Sequence, residues 1–139
     1  MRVLVDTNVL ISAFLGQAGR TAPQQIVAAG IKGRFRPVCC DEILLEFRSV
    51  ALRPKLIKLH RQGPAEVEQF LQRWVQRSMH RSAPKAALAA PDPQDQMLWD
   101  LLAADSELLL VTGDLKLVNS RDFAGRKLSP AALLTSHLS

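Results

Sequence analysis

The sequence predicts an α/β protein, built on a central parallel sheet of about four to five strands with helices on both faces. Three observations predict it. The runs at 2–5 and 108–111 are almost wholly apolar, as strands covered on both faces are. The segments between them space their apolar residues at helical intervals and carry helix-start and helix-stop residues at their ends. The order of strand, helices, strand, helices, strand and helix shows no repeat and no linker. The 139 residues are therefore read as one domain, 1–139.

Composition agrees. With 47% of residues apolar, a proper core is expected, and disorder and coiled coil are excluded. No segment is apolar and long enough to cross a bilayer, and the start lacks the long apolar core of a signal peptide. A cytoplasmic protein with no membrane partner is expected. Cys39 and Cys40 are adjacent, with no zinc-ligand spacing around them, and are read as buried strand thiols. The net charge of +5 is uneven. Residues 48–85 hold nine Lys/Arg and two acids, whereas 86–114 hold six acids and no Lys/Arg. One region suits a polyanion and another a cation.

The elements follow in order. Residues 2–5 form a buried strand. A helix over 8–15 has Thr7 as its N-cap and Gly16 as its stop. A loop covers 17–20, and a second helix runs from Thr21 to about Lys32, with Gly33 after it. Phe35 to Cys40 reads as a strand, with Pro37 near its start. Asp41 caps a third helix, on which Ile43, Leu44, Phe47, Val50 and Ala51 fall within about 120° of one another. Glu46 lies about 40° outside that arc, at its boundary. Arg53-Pro54-Lys55 breaks this helix, and a short basic helix follows through Leu56, Ile57 and Leu59. Residues 65–77 repeat Val67, Phe70, Leu71, Trp74 and Val75 at helical spacing, with Trp74 as core. Residues 78–91 show no clear period beyond a weak third strand at Ser78 to Ser82. Asp92, Pro93 and Asp95 then suit N-cap, N1 and N3 of a helix reaching about Ala104. Leu108 to Val111 is a strand, 126–129 a short one, and Pro130 opens the last helix.

Two of these strands end alike. Val3-Leu4-Val5 leads to Asp6, and Leu110-Val111-Thr112-Gly113 leads to Asp114. In an open α/β sheet, ligands bind at the carboxyl ends of strands. Glu46 and Asp95 sit on helices that begin near that edge, so four carboxylates converge. Each acid also has a plain structural use, as cap, turn residue or, for Glu46, partner of Arg53. Two such charges about 5 Å apart repel by about 3 kcal/mol at an effective dielectric of about 20. Either some stay protonated or a cation sits among them. Oxygen-only donors suit Mg²⁺ or Mn²⁺, which activate water and stabilise charge on phosphate.

Asp6-Thr7-Asn8-Val9-Leu10-Ile11-Ser12-Ala13 resembles the opening motif of the PIN-domain family. Glu42-Ile43-Leu44-Leu45-Glu46-Phe47, followed by Arg53-Pro54-Lys55, resembles that family's second acidic motif. Asp92-Pro93-Gln94-Asp95 and Thr112-Gly113-Asp114 resemble its third and fourth. The resemblance covers nearly the whole chain and is nearest to the bacterial branch of toxins from toxin–antitoxin pairs. It implies a metal-dependent ribonuclease in which Asp6, Glu46, Asp95 and Asp114 hold Mg²⁺ or Mn²⁺ and carry catalysis. Asn8 and Thr112 match supporting polar residues, and Asp92 matches a frequent extra acid. Gln96 departs from the pattern, standing where Asn is common. An antitoxin partner and a homodimer are also implied.

The leading expectation is thus an endoribonuclease, with Arg48, Arg53 and Lys55 among the cations holding the RNA backbone. A non-catalytic module that binds RNA or a protein partner is a second reading. An aspartyl-type phosphatase is a third, weakened because that chemistry usually wants a second acid where Asn8 stands.

Overall fold

The first strand, β1 (Arg2–Val5), occupies the middle of the sheet, and Val3, Leu4 and Val5 are all buried. In the computed structural model, which describes residues 1–16 and 20–138, five parallel strands run in the order β3-β2-β1-β4-β5. They are β2 (Arg36–Cys39), β3 (Met79–His80), β4 (Leu108–Val111) and β5 (Lys127–Leu128), with β1. The chain moves outward from β1 to β3, then returns to lay β4 against the free side of β1. Right-handed crossovers therefore put the connections before and after this return on opposite faces. The reversal opens a crevice at the carboxyl ends of β1 and β4, where such sheets bind ligands.

Eight α-helices are described: α1 (Thr7–Leu15), α2 (Ala22–Ile31), α3 (Asp41–Ala51), α4 (Pro54–His60), α5 (Pro64–Arg77), α6 (Gln96–Ala104), α7 (Leu115–Val118) and α8 (Pro130–His137). Thr21 and Gln24 form a capping box that starts α2, and Gly33, with φ 81°, follows its end in the left-handed conformation that glycine tolerates. Gly30 has a different task. A Cβ there would meet the Trp74 ring at 2.8 Å, so glycine lets α2 approach α5. Trp74 is fully buried, as its spacing predicts, and so is Trp99. Phe14, Phe47 and Phe70 pack α1, α3 and α5 together, the last two rings stacked at 5.2 Å. Both cysteines are free and buried.

Several local expectations are corrected. Asp6, not Thr7, caps α1, since its carboxylate accepts the Thr7 N–H and Thr7 is already helical. Asp41 is the first residue of α3 rather than its cap. Cys40 holds the cap position without a side-chain bond, and Asp41 pairs with His80 at 2.9 Å. The expected helix start at Asp92 is a single 3₁₀ turn, Pro93–Asp95, with α6 beginning at Gln96. The third strand exists but is two residues long, as is β5. Pro37 lies inside β2. Arg36 donates its N–H to the Met1 carbonyl, so the next nitrogen turns away from β1, where β3 has no partner for it. The short helix α7 was not anticipated. The loop expected at 17–20 lies, apart from Arg20, outside the described residues.

Between β3 and the 3₁₀ turn the chain is irregular but tied down. The Gln96 amide accepts the Ala90 N–H and donates to the Leu88 carbonyl, and Asp100 accepts the Ala86 N–H. No helix among the described residues is long and apolar enough to cross a membrane.

Candidate metal centre

Asp6 is the best-held of the four acids. The register of β1 on β4 pairs Val5 with Val111, and the Asp6 N–H continues the ladder to the Val111 carbonyl. Asp6 and Thr112 therefore leave adjacent strands side by side. Thr112 donates its hydroxyl to Asp6 Oδ2 at 2.8 Å, and Asn8 Nδ2 donates to the same oxygen at 3.3 Å. Asp6 Oδ1 takes the Thr7 N–H at 2.8 Å. Asn8 Oδ1 accepts from Gly113 N, and Thr112 Oγ1 accepts from Asp114 N. A clasp of side chains thus fastens the end of β1 to the turn after β4.

Asp6 and Thr112 are both buried. Burial pushes the Asp6 carboxyl above its ordinary value, against the bonds from Thr112 and Thr7, and the charges of Glu46 and Asp114 push the same way. Asp95 leads into α6, and its side chain makes no hydrogen bond among the described residues. Burial, then the charges of Asp6, Asp92, Asp114 and Glu46, push it up to about 6. Asp114 caps α7 through the Lys116 N–H and is half-buried. Glu46 is exposed, further toward solvent than the boundary position expected for it. Four acids from four separate segments thus feel one another's charge at one sheet edge.

Among the described residues, no three His, Cys, Asp or Glu side chains are grouped so as to close directly around one ion. Mg²⁺ does not require such a cage, because it keeps several waters and takes one or two carboxylates. The donor set fits that mode, being all oxygen, and two of its members are penalised for ionising without a neighbouring cation.

The remaining expected residues divide. Asn8 and Thr112 belong to the clasp. Asp92 is exposed, caps the 3₁₀ turn through the Gln94 N–H and adds to the field on Asp95. Arg48 is engaged elsewhere, in a 2.6 Å ion pair with Glu68 on α5. Arg53 and Lys55 are exposed and free of ion pairs among the described residues, and no ion pair joins Glu46 to Arg53. Sequence reasoning passed over Lys116, which lines a pocket with Asp92 and Asp114. Its signal was available: it is the first cation after a stretch from 86 to 114 that has none.

The comparison with curated proteins gives no match. A family model described as PIN domain matches residues 2–116, most of the length. The chain therefore belongs to the PIN-domain family, whose members are generally nucleases that use divalent metals.

Proposed function

We propose that this protein is an endoribonuclease that hydrolyses RNA phosphodiester bonds with Mg²⁺ or Mn²⁺, and that it is the toxin of a toxin–antitoxin pair. The convergence of Asp6, Glu46, Asp95 and Asp114 at the β1–β4 crevice carries the reading of the chemistry. A divalent ion bound there supplies an activated water and neutralises charge on the phosphate. The residues of the chain do the rest. Asp6 is held in one orientation by Thr112 and Asn8, so it presents its remaining lone pair, on Oδ1, at a set position. Asp95, with no such partners among the described residues, carries an ionisation penalty that a bound cation would relieve. Arg53 and Lys55 draw in the RNA backbone. Restraint by an antitoxin that covers the acidic edge, and assembly as a homodimer, belong to the same proposal.

The bonds that hold Asp6 also favour this reading over aspartyl phosphatase chemistry, because a carboxylate accepting three hydrogen bonds is a weakened nucleophile. The test is cleavage of labelled single-stranded RNA with Mg²⁺, with Mn²⁺ and with chelator. Cutting is expected with either ion, and neither with chelator nor by Asp6→Asn. Cutting that survives both would refute the mechanism. RNA binding without cutting in any ion would favour a non-catalytic module.

A further inference from the structure

Beside the acids lies a pocket of about 320 Å³, lined by Pro91, Asp92, Pro93, Asp114, Lys116 and Leu117. That volume is at the lower end for small-molecule sites. The pocket shares Asp114 with the candidate metal centre, so an occupant would adjoin that centre. Two proline rings and the buried Leu117 provide rigid apolar walls. Asp92 and Lys116 provide opposite charges. Asp92 Oδ1 accepts the Gln94 N–H at 2.9 Å, while Oδ2 has no partner among the described residues. The Lys116 ammonium makes no ion pair among the described residues and is exposed.

With Asp114 shared with the metal centre, the slot offers the base one further carboxylate, Asp92, and one ammonium, Lys116, and such a pair selects among the four RNA bases. Guanine presents two adjacent donors, N1–H and the N2 amine, and two adjacent acceptors, O6 and N7. A carboxylate accepts from the first pair, and a lysine donates to the second. Adenine and cytosine place a ring acceptor beside their amino donor, which a carboxylate repels. Uracil has a single N–H between two carbonyls. We propose that this pocket is a guanine-selective subsite for the nucleotide adjoining the scissile phosphate, with Asp92 reading the donor edge and Lys116 the acceptor edge. The proposal rests on the RNA-hydrolase reading and gives Asp92 to the substrate rather than to the ion.

The four nucleoside 5′-monophosphates share one phosphate, so differences among them isolate the base. Each is titrated into ¹⁵N-labelled protein with Mg²⁺ present. GMP is expected to bind at least five-fold tighter than AMP, CMP or UMP and to move the amides of Gln94, Lys116 and Leu117. Asp92→Asn keeps a capping oxygen for Gln94 and should bring GMP down to the level of AMP. Lys116→Ala should do the same, with Lys32→Ala as an unaffected control. Equal affinities, or shifts centred elsewhere, overturn the subsite.

Cleavage mapping on a random RNA pool separates this proposal from the one it rests on. Guanine should be enriched at one position beside the cut, and Asp92→Asn should lower that enrichment without changing the Mg²⁺ needed for half-maximal rate. If Asp92→Asn instead raises the Mg²⁺ requirement and leaves base preference intact, Asp92 is an ion ligand and the subsite is wrong. If GMP binds selectively yet no RNA is cut in any ion, the hydrolase reading fails and guanine selectivity stands, without its place beside a scissile phosphate.

Discussion

Replacing Asp95 with asparagine should stabilise the metal-free protein while abolishing its activity. The Asp95 carboxyl is pushed from an ordinary 3.8 to about 6 by burial and by four neighbouring acids, and no hydrogen bond among the described residues offsets this. A rise of that size corresponds to about 3 kcal/mol against the ionised form at neutral pH. Asp95 is only part-buried, so solvent screening brings the usable figure to about 1–2 kcal/mol. For a chain of this size that is about 3–8 °C in melting temperature.

The sign follows from proton binding. Between pH 3.8 and about 6 the folded state holds a proton that the unfolded state has released, so native stability falls as pH rises through that window. The full penalty stands above about 6 and vanishes below 3.8. Asp95→Asn should therefore melt higher than the parent in chelator at pH 7.5, and the gap should close near pH 3.8. Saturating Mg²⁺ should narrow the gap at pH 7.5 by stabilising the parent more than the variant. Differential scanning fluorimetry across pH, with chelator and with Mg²⁺, measures all three. A variant no more stable than the parent in chelator, or an advantage that persists at low pH, would refute the electrostatic account of this edge.

Three further outcomes are expected. Thr112→Val removes the hydroxyl that serves the buried Asp6 carboxylate and should cost about 1–3 kcal/mol in urea denaturation. Thr7 Oγ1 is buried without a hydrogen-bond partner among the described residues, so Thr7→Val should raise stability by about 1 kcal/mol in the same experiment. Replacing Arg53 and Lys55 together with alanine should weaken RNA binding without changing sequence preference. It should also flatten the dependence of log affinity on log salt by about one unit for each lost phosphate contact.

The parts of the fold legible in the sequence are those decided locally. The strands β1 and β4 announce themselves as continuous apolar runs, and Trp74 as part of a helical period. The helix start at Thr21 and the cap at Asp92 rest on local bonds, set by residues two or three apart. The less legible parts are decided across the fold. The strand β3 is held by partners on β2, with the Arg81 N–H given to the Cys39 carbonyl, so its own composition says little. Asp6 and Thr7 are both good caps, and the choice between them depends on where β1 stops bonding to β4. Arg48 looked free for RNA because Glu68 is twenty residues away and meets it only once α5 packs on α3. The candidate site shows the same division. Its four acids are readable as types in order, whereas the exposure of Glu46 and the pocket at Lys116 depend on how distant segments pack.

The clasp between β1 and the turn after β4 also bears on when the acidic edge takes shape during synthesis. Asp6 leaves the ribosome well before its partner Thr112, which lies 106 positions later, with Asp114 two beyond that. Until the segment through Asp114 has emerged and paired, β1 lacks its neighbour, the Asp6 carboxylate lacks its anchoring hydroxyl, and the crevice has no second wall. A nascent chain therefore carries the opening acid with nothing to aim it. The edge thus forms only after the segment through Asp114 has been made, and not piecemeal as each acid emerges.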